Sequence, residues 1–479
     1  MSRRAPESLL SGIAYLGAAR AMVLCMNLVT TSRLAHALGA TNFGINSFAI
    51  SYVAYFLIVV NLGYETFVTR EIAHDATRLR RLVDSMMTMR LLIAVFIGAL
   101  LVASLFLIHM PPLGRAVVLI QGIGLFSSAI ALTCVYQGLQ RMRMVAGREF
   151  MGSLISMTGI LLLVHSPDDL VAAACVSAAT VILINVPILL QYTRDFGLPR
   201  LHIPQRPDWQ MASKSMAYFW SVLMITITYN IHIVLLGLLR NDTDVGLFSA
   251  GWKLFNFAVV IPNLISTIFL PRMANLSGQP AAWAKSTGLY MQTIIVCALP
   301  VTVFGFVLIP QIVMVLFGAN YLPACGTIAL LLVNALVVAL TIGFGTPLIA
   351  VGRQKAFLRV VASGAIAGII FNLILIPTFG PEGAAIGTLL DELTVLGVLV
   401  WDRPELSVPR TLEFGLRCVV AVVPAAVLVR LVSRYAAIQG SDLVVLAISG
   451  AAGTAAYLLI LRIMRIDFRY FATGLRSLN

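Results

Sequence analysis

Fourteen apolar runs constrain this chain more than any other feature. They lie at roughly 11–31, 46–67, 91–109, 116–137, 149–165, 169–191, 216–239, 246–269, 288–310, 324–346, 357–377, 383–401, 413–433 and 442–464. A helix needs about 20 residues to cross hydrocarbon, and the runs cluster near that length, the fifth and twelfth being short. They are continuous and do not alternate apolar with polar, so they predict helices and not barrel strands. Mean hydropathy is +0.95, and only 11% of the 479 residues are charged. A water-soluble domain could not hide that much apolar surface, so a bilayer must be part of the solvent. The expected fold class is an all-α polytopic membrane protein.

A net charge of +13 suggests nucleic acid until its placement is read. With the amino terminus in the cytoplasm, the segments near 70–90, 139–148, 194–214, 272–285, 353–359, 403–417 and 462–479 are cytoplasmic. Together with Arg3 and Arg4 they hold 26 of the 33 Lys and Arg. Five lie on the opposite side: Arg33, Arg115, Arg240, Arg430 and Arg434. Arg20 and Lys253 stand inside spans. This positive-inside distribution predicts that both termini are cytoplasmic, and it argues against a nucleic-acid partner.

Several function classes drop out. The six cysteines fall in or beside spans with neither metal spacing nor a disulfide framework, and read as small core residues. Arg20 interrupts the first apolar run, which is long enough to span, so a cleaved signal peptide is not expected. No GxxxxGK[ST] occurs, and an ATP-driven pump would need a separate ATPase subunit. No cofactor or metal is expected.

The chain also repeats itself. FGINSFAISYVAYF begins at Phe43 and VGLFSAGWKLFNFA at Val245. Gly44 and Gly246, Ser47 and Ser249, and Arg70 and Arg272 all share an offset of 202. QGLQR at Gln137 echoes VGRQK at Val351, at an offset of 214. The matched points fall in the second and eighth spans, so the halves keep one orientation. A parallel repeat of this kind places substrate between two lobes. The expected organisation is an N-terminal lobe over 1–200 (spans 1–6), a C-terminal lobe over 201–402 (spans 7–12), and spans 13 and 14 appended over 403–479.

RLAHALGATNFGINSFAISYVAYF (Arg33 to Phe56) resembles the first-loop signature of polysaccharide flippases, of the O-antigen type, in the multidrug/oligosaccharidyl-lipid/polysaccharide exporter superfamily. TREIA at 69–73, VGLFSAGWKLFNF at 245–257 with PR at 271–272, and NLILIPTFGPEGAAIGTLLDE at 372–392 strengthen the likeness. It is distributed over about residues 10–400. The resemblance implies movement of an undecaprenyl-pyrophosphate-linked oligosaccharide, an O-antigen or exopolysaccharide repeat unit, from the cytoplasmic to the periplasmic leaflet of a bacterial inner membrane. It also implies a polysaccharide polymerase and a chain-length regulator as partners. One departure matters. Many relatives carry an acid in the seventh span, where this chain reads YNIHIVLLG with Asn230 and His232. Acid-based ion coupling at that point is therefore not expected.

Polar stripes within the spans supply candidate binding groups. In the eighth, Ser249, Lys253, Asn256 and Asn263 lie at helical spacing on one face. Arg20, Asn27 and Thr31 do so in the first span, and Ser221, Thr228 and His232 in the seventh, beside Thr226 and Asn230. A wet cavity between two lobes would receive all three stripes and would be cationic. Arg offers a fork of donors and Lys a compact charge, both suited to a pyrophosphate headgroup. The expected substrate contacts are Arg20, Lys253, Asn256, Ser249, Asn27, Asn230 and His232. A plainer reading stays open. Lys253 could snorkel to the outer interface, Arg20 could pair with Asp391, Glu392 or Glu65, and His232 could be hydrogen-bonded core.

The acids are sparse. Asp391 and Glu392 sit inside the twelfth span, where adjacent carboxylates point to different helix faces. Either could carry a proton or hold a cation for coupling, or form an internal salt bridge. Glu65, Arg70 and Glu71 at the cytoplasmic end of the second span read as an interfacial cluster or gate. Asp242-Thr243-Asp244 matches a glycosyltransferase DxD pattern, but it occupies a short outer loop with no catalytic companions. A membrane polymerase or ligase would bring a long periplasmic loop, and none is present. The chain is thus expected to be a transporter and not an enzyme. The alternatives inside the superfamily are an ion-coupled drug/cation antiporter, which would want acids in its cavity, and a flippase for the peptidoglycan precursor lipid II.

Overall fold

The structure is a computed structural model describing residues 9–108, 110–401, 408–436 and 442–464. Among the described residues it has helices and no strands. In order these are α1 (Leu9–Asn61), α2 (Tyr64–His74), α3 (Leu79–Leu107), α4 (Pro112–Ala129), α5 (Thr133–Gly138), α6 (Met142–Leu163), α7 (Leu170–Phe196), α8 (Arg206–Leu239), α9 (Asp242–Asn275), α10 (Pro280–Val307), α11 (Ile309–Leu316), α12 (Cys325–Ala350), α13 (Gln354–Trp401), α14 (Val408–Ala436) and α15 (Asp442–Ile463). Helices dominate because hydrocarbon supplies no partners for backbone N–H and C=O groups, and a helix pairs them within the segment. Eleven of the described helices are long and apolar enough to cross a bilayer.

Fourteen expected runs and eleven spanning helices are reconciled by two glycines and one charged helix. α1 is 53 residues long, and a straight helix of that length would measure about 80 Å against roughly 30 Å of hydrocarbon. It breaks at Gly39, whose φ of 67° and ψ of 174° lie outside helical space. α13 breaks in the same way at Gly380, with φ 56° and ψ −128°. Each long helix therefore carries two of the expected spans, and a residue with a β-carbon would be strained at either break. The fifth run lies in α6, whose first half carries Arg143, Arg148 and Glu149.

Two runs end earlier than their apolarity suggests. The second helical segment of α1 stops at Asn61, and Leu62 (φ 44°) and Gly63 (φ 71°) separate it from α2. The fourth run, expected to be continuous over 116–137, is α4 and α5 with a break at Ile130–Leu132.

The chain forms two compact units, Met1–Asn230 and Ile231–Asn479, and α8 runs through the division. A core in the first unit gathers Tyr64, Phe67, Ile72, Met86, Tyr136 and Tyr192 around the two breaks. There α2 and α5 pack so closely that a β-carbon on Gly138 would lie 2.9 Å from both Ile72 and the Thr69 carbonyl. In the second unit Phe304, Phe344, Leu399, Val429 and Tyr457 hold α10, α12, α13, α14 and α15 together.

Candidate functional site

On α9 the Phe248–Trp252–Phe255 face is buried, and the next stripe round the helix is open. Trp252 stacks on Phe255 with ring centroids 4.4 Å apart. Lys253, Asn256 and Asn263 are exposed. Both amides donate to carbonyls of their own helix, Asn256 to Trp252 at 2.8 Å and Asn263 to Val259 at 3.0 Å. Among the described residues no carboxylate pairs with Lys253. Because α9 begins at Asp242, Lys253 stands about 16 Å along this 34-residue helix.

Two residues expected on the same polar surface lie elsewhere. Ser249 is 2% exposed, and its hydroxyl has no partner. His232 is fully enclosed, with its ring 4.0 Å from that of Trp252 and 5.0 Å from that of Phe248. Neither imidazole nitrogen has a hydrogen-bond partner. Ser249 lies on the packed face of α9, and His232, on α8, packs against the aromatic stripe of that face, one step round from Lys253.

Asn230 is half-buried and donates to the Thr226 carbonyl at 3.3 Å. Asn27 is exposed on α1. Arg20 lies on the same helix, with its side chain outside the described residues. Asp391 is buried, and its carboxylate lies against Gly368, where a β-carbon would come within 2.7 Å of Oδ2. Glu392, its neighbour, points to another side and meets Thr341.

The first unit holds a polar centre that sequence reasoning missed. Arg90 of α3 is completely buried. Its Nη1 donates to the Ala131 carbonyl at 3.1 Å, inside the α4–α5 break. Nη2 lies 3.9 Å from Glu65, just past the α1–α2 break. One cation thus ties two helix interruptions together. Nearby, Arg148 donates two bonds to Asn185 Oδ1 at 2.9 and 3.2 Å, and Asn185 donates to the Ser127 carbonyl at 3.1 Å. Arg70 donates to the Tyr218 hydroxyl at 2.9 Å. At Gly63 the chain touches the α8 backbone, and a β-carbon there would lie 2.5 Å from Phe219 N and 2.6 Å from the Ser215 carbonyl. The expected Glu65–Arg70 cluster therefore consists of two separate contacts. The only sequence sign of Arg90 is its position against the apolar run LLIAVFIGALL.

Asp242 and Asp244 occupy the first turn of α9, capped by Asn241, whose Oδ1 accepts from Asp244 N at 2.8 Å. Asp244 also pairs with Arg240 at 3.3 Å. These are the acids a helix N-terminus favours, and the arrangement needs no nucleotide sugar.

Helices of this number and length, broken at glycines, make the chain an all-α polytopic membrane protein. The lipid II flippase MurJ in an inward closed conformation shares that fold, with a TM-score of 0.79 at 12% identity over 95% of this chain and 99% of MurJ. So does a multidrug resistance MATE family transporter of the MOP superfamily in an inward-facing conformation, with a TM-score of 0.63 at 14% identity over 81% of this chain and 95% of that one. The family described as polysaccharide biosynthesis protein matches residues 9–277, more than half of the sequence, and the chain belongs to that family. A protein of Shigella dysenteriae named as a candidate O-antigen transporter is 23% identical over 356 residues, covering 71% of this chain and 86% of that protein. A protein of Haloferax volcanii named as the candidate flippase AglR is 24% identical over 347 residues, covering 68% of this chain and 70% of that protein.

Proposed function

We propose that the protein is a flippase for an undecaprenyl-pyrophosphate-linked oligosaccharide. It carries the glycan headgroup from the cytoplasmic to the periplasmic leaflet of a bacterial inner membrane, with both termini cytoplasmic. Family membership and the relatives' names support a polysaccharide-related transporter. The observation that carries the anionic-substrate reading is Lys253, an exposed cation within a span and with no carboxylate partner among the described residues. At a helix centre a lysine costs about 2.5–3.5 kcal/mol if it faces lipid. Facing a wet passage, it meets water in one state and phosphate oxygens in another. Moving a pyrophosphate through bare hydrocarbon would strip its hydration, and an ammonium, itself a charged donor, replaces part of that shell. Asn256, Asn27, Arg20 and Asn230 are proposed as further contacts of the headgroup, and Ser249 and His232 as contacts in a state in which they are not enclosed. Alternating access would expose the passage to each side in turn, with Asp391 or Glu392 coupling it to an ion gradient and Glu65 and Arg70 in a cytoplasmic gate.

The test replaces Arg20 and Lys253 by Gln, singly and together, and follows membrane abundance beside transbilayer movement of lipid-linked oligosaccharide. Normal abundance with lost movement supports the reading. Unchanged movement in the double variant removes it. A drug/cation antiporter would instead confer efflux in a sensitised strain, and a lipid II flippase would complement loss of peptidoglycan-precursor transport.

A further inference from the structure

Between α7 and α8 the chain runs from Gly197 to Gln205 as GLPRLHIPQ, without helix. One side of this segment is tied down. The backbone N–H of Arg200 donates to Asp84 Oδ1 at 2.8 Å, and that of Gln205 donates to Asp208 Oδ2 at 2.7 Å. The ring Nε2 of His202 lies 2.9 Å from the same Asp208 oxygen. The Arg80 guanidinium packs on Gly197, where any β-carbon would collide with it. These bonds reach α3 and the first turn of α8, and they hold a segment containing Pro199 and Pro204 in one extended course.

The other side has no protein cover. Leu198 is 78% exposed, Leu201 60%, Ile203 87% and Trp209 57%. Arg194, Arg200 and Arg206 are exposed among them. The local acids are already engaged: Asp84 with the Arg200 amide, Asp208 with His202, and Asp195 with Arg141 at 3.0 Å. The outward charge is therefore positive, and it is interleaved with large apolar groups. This ridge sits where two spans leave the hydrocarbon, the depth at which Trp and basic residues meet lipid headgroups.

We propose that Leu198–Trp209 is a docking surface for anionic lipid headgroups of the leaflet that meets this end of α7 and α8. The aliphatic side chains enter the zone between headgroups and acyl chains, and the guanidiniums receive headgroup phosphates in charge-assisted bonds. Because the segment leads into α8, leaflet charge bears directly on the first turn of that helix. The surface depends on the chain spanning a bilayer and not on the identity of the transported molecule.

The test uses the full-length protein in phosphatidylcholine vesicles carrying either brominated phosphatidylglycerol or brominated phosphatidylcholine at equal mole fraction. The Trp209 signal is taken as the difference between the wild type and Trp209→Phe. Brominated phosphatidylglycerol is expected to quench it about twofold more strongly, and about 1 M salt should abolish that preference by cutting the screening length to about 3 Å. The double substitution Arg200→Gln, Arg206→Gln, at solvent-exposed side chains, should abolish it as well. Equal quenching by the two lipids overturns the proposal. Quenching by neither also overturns it, since the ridge would then face water or another protein.

Discussion

Arg90 and Glu65 lie 3.9 Å apart, one side chain wholly enclosed and the other 54% exposed. The pair is therefore asymmetric in what each partner loses when the other is removed. Glu65 without Arg90 remains solvated. Arg90 without Glu65 is a buried cation whose remaining contact is the Ala131 carbonyl.

Glu65→Gln should accordingly destabilise more than Arg90→Met. Stranding a buried charged donor costs about 1–3 kcal/mol, whereas an apolar replacement of similar shape escapes that penalty. Thermal unfolding of the detergent-solubilised protein, followed by loss of monodispersity, would rank the two variants. The reverse order would mean that the guanidinium stabilises the α4–α5 break more than it suffers from isolation.

Gly63→Ala should be among the most damaging changes in the first unit. The position has φ 71°, and the new methyl would meet backbone atoms of α8, which cannot swing aside as a side chain can. Left-handed strain costs roughly 1–3 kcal/mol before the clash is counted. The expected outcome is a membrane yield reduced several-fold. Gly147→Ala, with open space around its added methyl, is the control and should leave yield unchanged.

Lys253→Gln should lower transport by at least about tenfold, roughly one lost charged contact, with membrane abundance unchanged. Lys253→Arg should retain most activity, because the charge is kept and the site is open. If Lys253→Gln instead raised abundance and left transport intact, the ammonium would be only a burden on insertion.

His202 supplies a pH dependence outside the spans. Its hydrogen bond with Asp208, and secondarily the Arg200 carbonyl, raise its pKa above the ordinary value. The charged form is favoured in the folded state, so its stabilisation is complete below the unfolded pKa, near 6.5, and fades as pH rises through the folded value. The melting temperature of the wild type should fall across that window relative to His202→Gln. A constant difference between the two would show that the imidazole does not titrate against the fold.

What the sequence disclosed followed from properties that depend on near neighbours. Apolar run length located the eleven described helices long enough to cross a bilayer, and the glycines at 39 and 380 sit at the joints between runs. Breaks inside a run were hidden, because Ile130–Leu132 is as apolar as a helix and is interrupted by Arg90, which comes from another part of the chain. Arg90 itself reads as one more cytoplasmic cation, since its burial depends on two distant helix ends. His232 and Ser249 share a helical period with polar neighbours, but period fixes an angle only to within a step. One step separates the open stripe of Lys253 from the aromatic face that encloses them.

The single-residue breaks at Gly39 and Gly380 leave no slack between the helical segments they join. Asn42, three residues past the first, donates to the Pro167 carbonyl at 2.7 Å, and Arg240 lies against the second. Reporter enzymes or epitope tags spliced into either joint would pry neighbouring helices apart, and a negative signal there would say nothing about sidedness. Topology mapping of this protein should place its probes elsewhere, such as at Gly278, where an added β-carbon meets nothing within 4 Å.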